Sequence, residues 1–119
     1  MAKRDKASIY VDAQKLFAAL YEAQFDMCKR DRPVMAVRLL DHTERIIANF
    51  AVAFESENKL EFVNRMLAEF EIVKVELRFA IQQSIIRNPA HIKELTELVV
   101  RLEEGIAKWR GYVISARQD

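Results

Sequence analysis

Asn88-Pro89-Ala90-His91-Ile92-Lys93-Glu94-Leu95-Thr96-Glu97-Leu98-Val99-Val100-Arg101-Leu102-Glu103-Glu104-Gly105-Ile106-Ala107-Lys108-Trp109-Arg110-Gly111-Tyr112-Val113 is the stretch that decides the fold. Its apolar residues Ile92, Leu95, Val99, Leu102, Ile106, Trp109 and Val113 follow one another at spacings of 3-4-3-4-3-4. A repeat that averages near 3.6 places all seven on one face of a single α-helix. Asn88 is an N-cap and Pro89 a first helical residue, so the helix starts there and runs to about Arg117.

Working outward, the same punctuation divides the rest of the chain. Ser8 is a candidate N-cap for a first helix reaching about Lys29. Arg30-Asp31-Arg32-Pro33 interrupts it, and Pro33 sits where a second helix begins, running to about Phe54. Asn58 with Glu61 has the spacing of a capping box and opens a third helix, Lys59 to about Ile86. The first helix carries a seam of Ile9, Ala13, Leu16, Leu20, Ala23 and Met27. The second carries Leu40, Thr43, Ile47, Phe50 and Phe54, and the third Val63, Met66, Phe70, Val73, Leu77 and Ala80. Four seams joined by short connections predict one all-α domain over residues 1–119. Its expected architecture is an up-down-up-down antiparallel four-helix bundle, with residues 1–7 a flexible N-terminus.

Composition agrees. The chain has 119 residues but only two glycines and two prolines. About eight glycines are usual at this length, and strand-rich or Gly-loop folds need turn residues at short intervals. The single cysteine, Cys28, forms no internal disulfide and suits a reducing, cytoplasmic compartment. No apolar run reaches the roughly 18 residues of a membrane span, so no membrane partner is expected.

No catalytic, cofactor or metal constellation is legible. His42 and His91 are the only histidines, and neither has the Glu-x-x-His partner that a di-metal bundle repeats on two helices. Cys28 has no histidine near it in sequence, and no serine lies in a nucleophile elbow. Glu97–Arg101 and Glu104–Lys108 have the spacing of helix-supporting ion pairs. The chain is therefore expected not to be an enzyme and to need no cofactor.

Charge is distributed unevenly under a net of +1. Residues 1–50 carry nine basic and seven acidic side chains, residues 51–76 three and six, and residues 77–119 seven and five. Arg30 and Arg32 lie at the first connection, and Arg38 and Arg45 are one heptad apart on the second helix with His42 between them. Lys74 and Arg78 are like-charged neighbours on the third. These six arginines and lysines are the candidate contacts for an anionic partner such as a nucleic acid. Apolar residues outside the seams are a second feature. Tyr10, Phe17 and Tyr21 stand on the first helix, and Ile72, Val75, Phe79 and Ile86 on the third. They make either a wide buried face or a subunit interface.

The helix opening Ile9-Tyr10, the basic connection with its proline, Leu77-Arg78-Phe79-Ala80 late in the third helix and the lone Trp109 in the fourth resemble a known pair of groups. One is the four-helix-bundle accessory variability determinant of diversity-generating retroelements. The other is the four-helix-bundle protein encoded by intervening sequences of bacterial 23S ribosomal RNA genes. The resemblance spans about residues 9–115 and implies a homopentameric ring with a basic exterior. It also implies a non-enzymatic accessory role, with reverse transcriptase and RNA or an RNA/DNA hybrid as partners. Arg78 and Trp109 match the family's arginine and tryptophan positions. The family often has glycines six and two residues before the tryptophan, where this chain has Glu103 and Ala107. The alternative function is a self-assembling protein-interaction scaffold with no direct nucleic-acid role.

Overall fold

The computed structural model describes the backbone of residues 3–118 and the side chains of residues 8–116. Four α-helices account for most of it: α1 (Lys3–Ala23), α2 (Val37–Glu55), α3 (Lys59–Gln82) and α4 (Pro89–Gln118). They form an all-α four-helix bundle with extents of 51 × 22 × 19 Å. Each helix packs on two neighbours, α2 on α1 and α3, and α4 on α1 and α3. The expected flexible segment at 1–7 falls on side chains outside the described residues.

The seams expected on α1 and α3 are buried throughout, from Ile9 to Met27 and from Val63 to Ala80. On α4 the core residues are Leu95, Leu98, Leu102, Ile106, Trp109 and Val113, with Ile92 and Val99 at the margin. The α2 seam is corrected by one position. Leu39, Thr43, Ile46, Phe50 and Ala53 are buried, while Leu40 and Ile47 flank the core and Phe54 is exposed. Both rows have helical spacing. The buried one faces the core, and the side chain of Thr43 is satisfied there by donating to the Leu39 carbonyl at 2.7 Å.

Helix ends differ from expectation for identifiable reasons. α1 starts at Lys3, before Ser8, and ends at Ala23. A tight turn over Gln24–Asp26 follows, and Met27 is extended at ψ 146°. α3 stops at Gln82, four residues short of Ile86. Ser84 takes a left-handed φ of 58°, and the N–H groups of Ile85 and Ser84 donate to the carbonyls of Ala80 at 2.8 Å and Ile81 at 3.1 Å. This is the Schellman ending normally marked by glycine, here built on serine. It folds Ile86 back into the core at 0% exposure, so Ile86 is not available to a subunit contact. Asn88 caps α4 as expected, its Oδ1 accepting from the Ala90 N–H at 2.9 Å. The capping box at Asn58 is not formed. Asn58 Nδ2 donates to Glu61 Oε2 at 2.9 Å, and no side chain caps the α3 backbone. Instead Lys59 reaches back to the carbonyls of Ala53, Phe54 and Ser56, neutralising the C-terminal end of α2.

Asp26 ties the α3–α4 connection to the end of α1. Its Oδ2 accepts from the backbone N–H groups of Arg87 and Asn88, both at 2.8 Å. Those bonds, with Arg87 and His91 nearby, hold the carboxyl below its ordinary pKa of 3.8. The ionised form is the one bound, so its stabilisation is complete above that value and disappears as pH falls through the lowered folded pKa. Replacing Asp26 by Ala is expected to lower stability by about 1 kcal/mol at pH 7. The difference from the parent protein should shrink as pH falls below the ordinary carboxyl value of 3.8, read by urea unfolding across pH.

The two glycines are a matched test of helix packing. A Cβ on Gly105 would lie 3.1 Å from Ile9 Cγ1, whereas one on Gly111 would meet nothing within 4 Å. Gly111→Ala is expected to stabilise by roughly 0.5–1 kcal/mol through helix propensity alone. Gly105→Ala should gain less, or lose, because Ile9 must shift within the core. Thermal unfolding of both variants measures the contrast.

Candidate functional site

The six candidate cations are placed in three separate regions. Arg38 and Arg45 lie on the side of α2 that faces α3, with His42 between them. Seven positions along α2 correspond to seven positions back along α3, where Glu76 and Glu69 stand. Arg38 Nη2 lies 2.6 Å from Glu76 Oε1, and its Nε donates to the same oxygen at 2.7 Å. His42 Nδ1 is 2.6 Å from Glu69 Oε2, and Arg45 reaches Glu69 Oε1 at 3.8 Å and Asp41 at 3.0 Å. His42 is therefore neither solvated nor turned towards an outside partner. Its side chain is 14% exposed and is held by a carboxylate of the next helix. Because the carboxylate accepts, Nδ1 is the nitrogen that carries the hydrogen.

Lys74 points the other way, into the contact between α3 and α4. Its Nζ lies 2.8 Å from Glu71 and 3.2 Å from Glu103, and its side chain is only 19% exposed. The Glu71 hydrogen bond, then Glu103, raise the ammonium pKa above its usual value against the pull of burial. The anion that relieves the Lys74–Arg78 repulsion is thus supplied within the fold.

The first connection uses its arginines differently. Arg32 donates to the carbonyls of Gln24 at 3.0 Å and Met27 at 3.2 Å and covers the Phe25 ring at 5.6 Å. It clips the end of α1 and is only partly exposed. Arg30 projects into solvent with a side chain 85% exposed, touching Asp31 at 3.2 Å. Cys28 Sγ donates to the same aspartate at 3.1 Å, and these bonds lower the Asp31 pKa. Arg78 is exposed and makes no ion pair among the described residues; Arg32 makes none either, but backbone carbonyls hold its guanidinium. On α4, the expected Glu97–Arg101 pair is replaced by a contact across helices, Arg101 to the buried Asp12 at 2.9 Å. Glu104 and Lys108 form no ion pair among the described residues.

The apolar candidates behave otherwise. Ile72, Val75 and Phe79 are 37%, 61% and 49% exposed. Their i, i+3, i+7 spacing makes them a continuous stripe on the outer face of α3, beside the Arg38–Glu76 pair. Tyr10 is partly covered by a ring contact to Phe50 at 5.9 Å, and Phe50 in turn meets Trp109 at 5.2 Å. Tyr21 and Phe25 pack edge to face at 5.7 Å at the far end of α1.

Among the described residues no group of three or more His, Cys, Asp or Glu side chains could hold a metal ion, and no helix is long and apolar enough to cross a membrane. Comparison of the chain with family models, with curated proteins and with solved structures finds no match.

The α2–α3 network has a graded energetic consequence. Glu69→Ala leaves the mostly buried His42 without its partner and should cost about 1–2 kcal/mol. Arg45→Ala removes a half-exposed member and should cost less than about 1 kcal/mol. Equilibrium urea unfolding of the two variants distinguishes them.

Proposed function

We propose that this protein is a non-enzymatic helical scaffold that self-associates through the outer face of α3. The observation that carries the reading is the exposed stripe Ile72–Val75–Phe79, three large apolar side chains adjacent on one helix in an otherwise well-filled bundle. Apolar residues scattered singly over a surface are ordinary, whereas a contiguous row is the usual mark of a docking face. A bundle of this size also has a modest core that association extends.

The nucleic-acid and reverse-transcriptase role implied by the family resemblance is the second reading. It draws on Arg30 and Arg78, whose guanidinium groups are open to a phosphate. Arg38, Arg45 and Lys74 are engaged by Glu76, Glu69 and Glu103, and Arg32 by backbone carbonyls. An anion must compete with those partners, which favours the scaffold reading over a broad phosphate-binding surface.

Sedimentation equilibrium at micromolar concentration tests the proposal. The parent protein is expected to be oligomeric and Phe79→Asp monomeric, with an unchanged helical circular dichroism spectrum. A monomeric parent protein would sink the scaffold reading. Filter binding of RNA, DNA and hybrid duplexes at two salt concentrations addresses the second reading. Salt-sensitive binding lost in Arg30→Glu/Arg78→Glu would favour it.

A further inference from the structure

The outer face of α3 carries three rows, each with a seven-residue step. Ile72 and Phe79 form the row nearer α2. Glu71 and Arg78 form the row nearer α4, and Val75 lies between them with Ala68 one heptad before it. A seven-residue step is nearly two full helical turns, about 10.5 Å along the axis. All of these side chains except Ala68 are large or charged, and each is exposed.

The order of signs and sizes in those rows selects a partner. When a helix meets its own copy across a two-fold axis with the two chains antiparallel, each flanking row meets the same row of the copy in reverse. Ile72 then lies against the partner's Phe79, and Phe79 against the partner's Ile72. On the other flank Glu71 meets the partner's Arg78, and Arg78 the partner's Glu71. The midpoints of the two flanks lie half a residue, less than about 1 Å, to either side of Val75, which falls at the axis and meets the partner's Val75. A parallel two-fold arrangement would set each charged row on an apolar row, burying Glu71 and Arg78 without partners.

We infer that the α3 face is a self-complementary, antiparallel two-fold interface whose occupant is a second copy of this chain, centred on Val75 and closed by two symmetric Arg78–Glu71 ion pairs. The inference rests on the scaffold reading above and goes further by fixing partner, orientation and register. It accounts for Arg78, the one candidate cation with neither a carboxylate nor a backbone carbonyl partner among the described residues. Glu71 is ready for it, since its side chain is 65% exposed although one oxygen contacts Lys74. Lys74 keeps Glu103 at 3.2 Å when Glu71 turns outward. Val75, the most exposed of the three stripe residues at 61%, is the one that the axis covers.

A charge-swap series with a crosslink tests this register. Arg78→Glu and Glu71→Arg each create two like-charge contacts at the interface. Each is expected to weaken self-association at least tenfold by sedimentation equilibrium. The double variant Glu71→Arg/Arg78→Glu should return to within about threefold of the parent protein. Val75→Cys in a Cys28→Ser background should be captured as a covalent dimer by a short bismaleimide, and Lys93→Cys in the same background should not. The inference requires both restoration and capture. If Phe79→Asp dissociates the assembly but either result fails, the two-fold register is overturned while α3 remains the interface. If the parent protein is monomeric, both the register and the scaffold reading fall.

Discussion

The contact on which most else depends is the meeting of two heptad-spaced rows, Arg38, His42 and Arg45 on α2 with Glu69 and Glu76 on α3. Helix pairs in a bundle can slide by a turn while still burying apolar seams, because every turn of a seam resembles the next. Charged rows restrict that freedom. A shift of one turn would part Arg38 from Glu76 and Arg45 from Glu69. Glu76 already has one oxygen buried without a partner, and the pair with Arg38 is what makes its burial tolerable. The network therefore specifies register more than it adds stability, since its arginines remain more than half exposed.

The same logic runs round the bundle at lower density. Lys74 with Glu103 and Arg110 with Asn64 register α3 against α4, while Arg101 with Asp12 and Asp26 with the 87–88 backbone register α4 against α1. In each case the later residue of one helix meets the earlier residue of the other. Between α1 and α2 there is no side-chain ion pair among the described residues. That contact is aromatic and aliphatic, with Tyr10, Phe50 and Phe54 near one end and the Arg32 clip at the other. Close approach between α1 and α4 depends on Gly105 against Ile9. A glycine serves that contact four residues before Trp109, while the positions six and two before it hold Glu103 and Ala107.

What could be read in advance follows from how local each signal is. The seams of α1 and α3, and most of that of α4, are legible because one row of apolar residues recurs at helical spacing along the helix, although on α4 Leu98 takes the core place expected for Val99. On α2 two apolar rows run side by side, and only the positions of α1 and α3 decide that Leu39 and Ile46 go inward. The end of α3 was not legible, because its left-handed residue is Ser84 rather than glycine. With no glycine or proline in Ile81-Gln82-Gln83-Ser84-Ile85-Ile86, the stretch reads as one more turn of helix. The electrostatics were half legible. Arg38 and Arg45 stood out as a heptad pair, and Glu69 and Glu76 have the same step, but the pairing of one row with the other is a tertiary fact. Reading the basic row alone made it an outward surface. Placed beside α3, it is largely an internal seam, and the acidic character of residues 51–76 is the other half of it. The exposed stripe of α3 survives this change, with Ile86 removed from it.

The sequence separation of these contacts also orders the assembly of the chain in time. His42 and Glu69 are 27 residues apart, whereas Asp12 and Arg101 are 89 apart. Loop-closure entropy rises with the logarithm of loop length, a difference of about 1 kcal/mol between the two. The α2–α3 hairpin, turned by the three residues Ser56-Glu57-Asn58, thus has both the shorter loop and the denser set of contacts. Both features favour its closure ahead of the α1–α4 contact. Exposed Val75 and Phe79 lie on one of the two helices of this hairpin, so a chain that closes it ahead of the α1–α4 contact presents this face before its own bundle is complete.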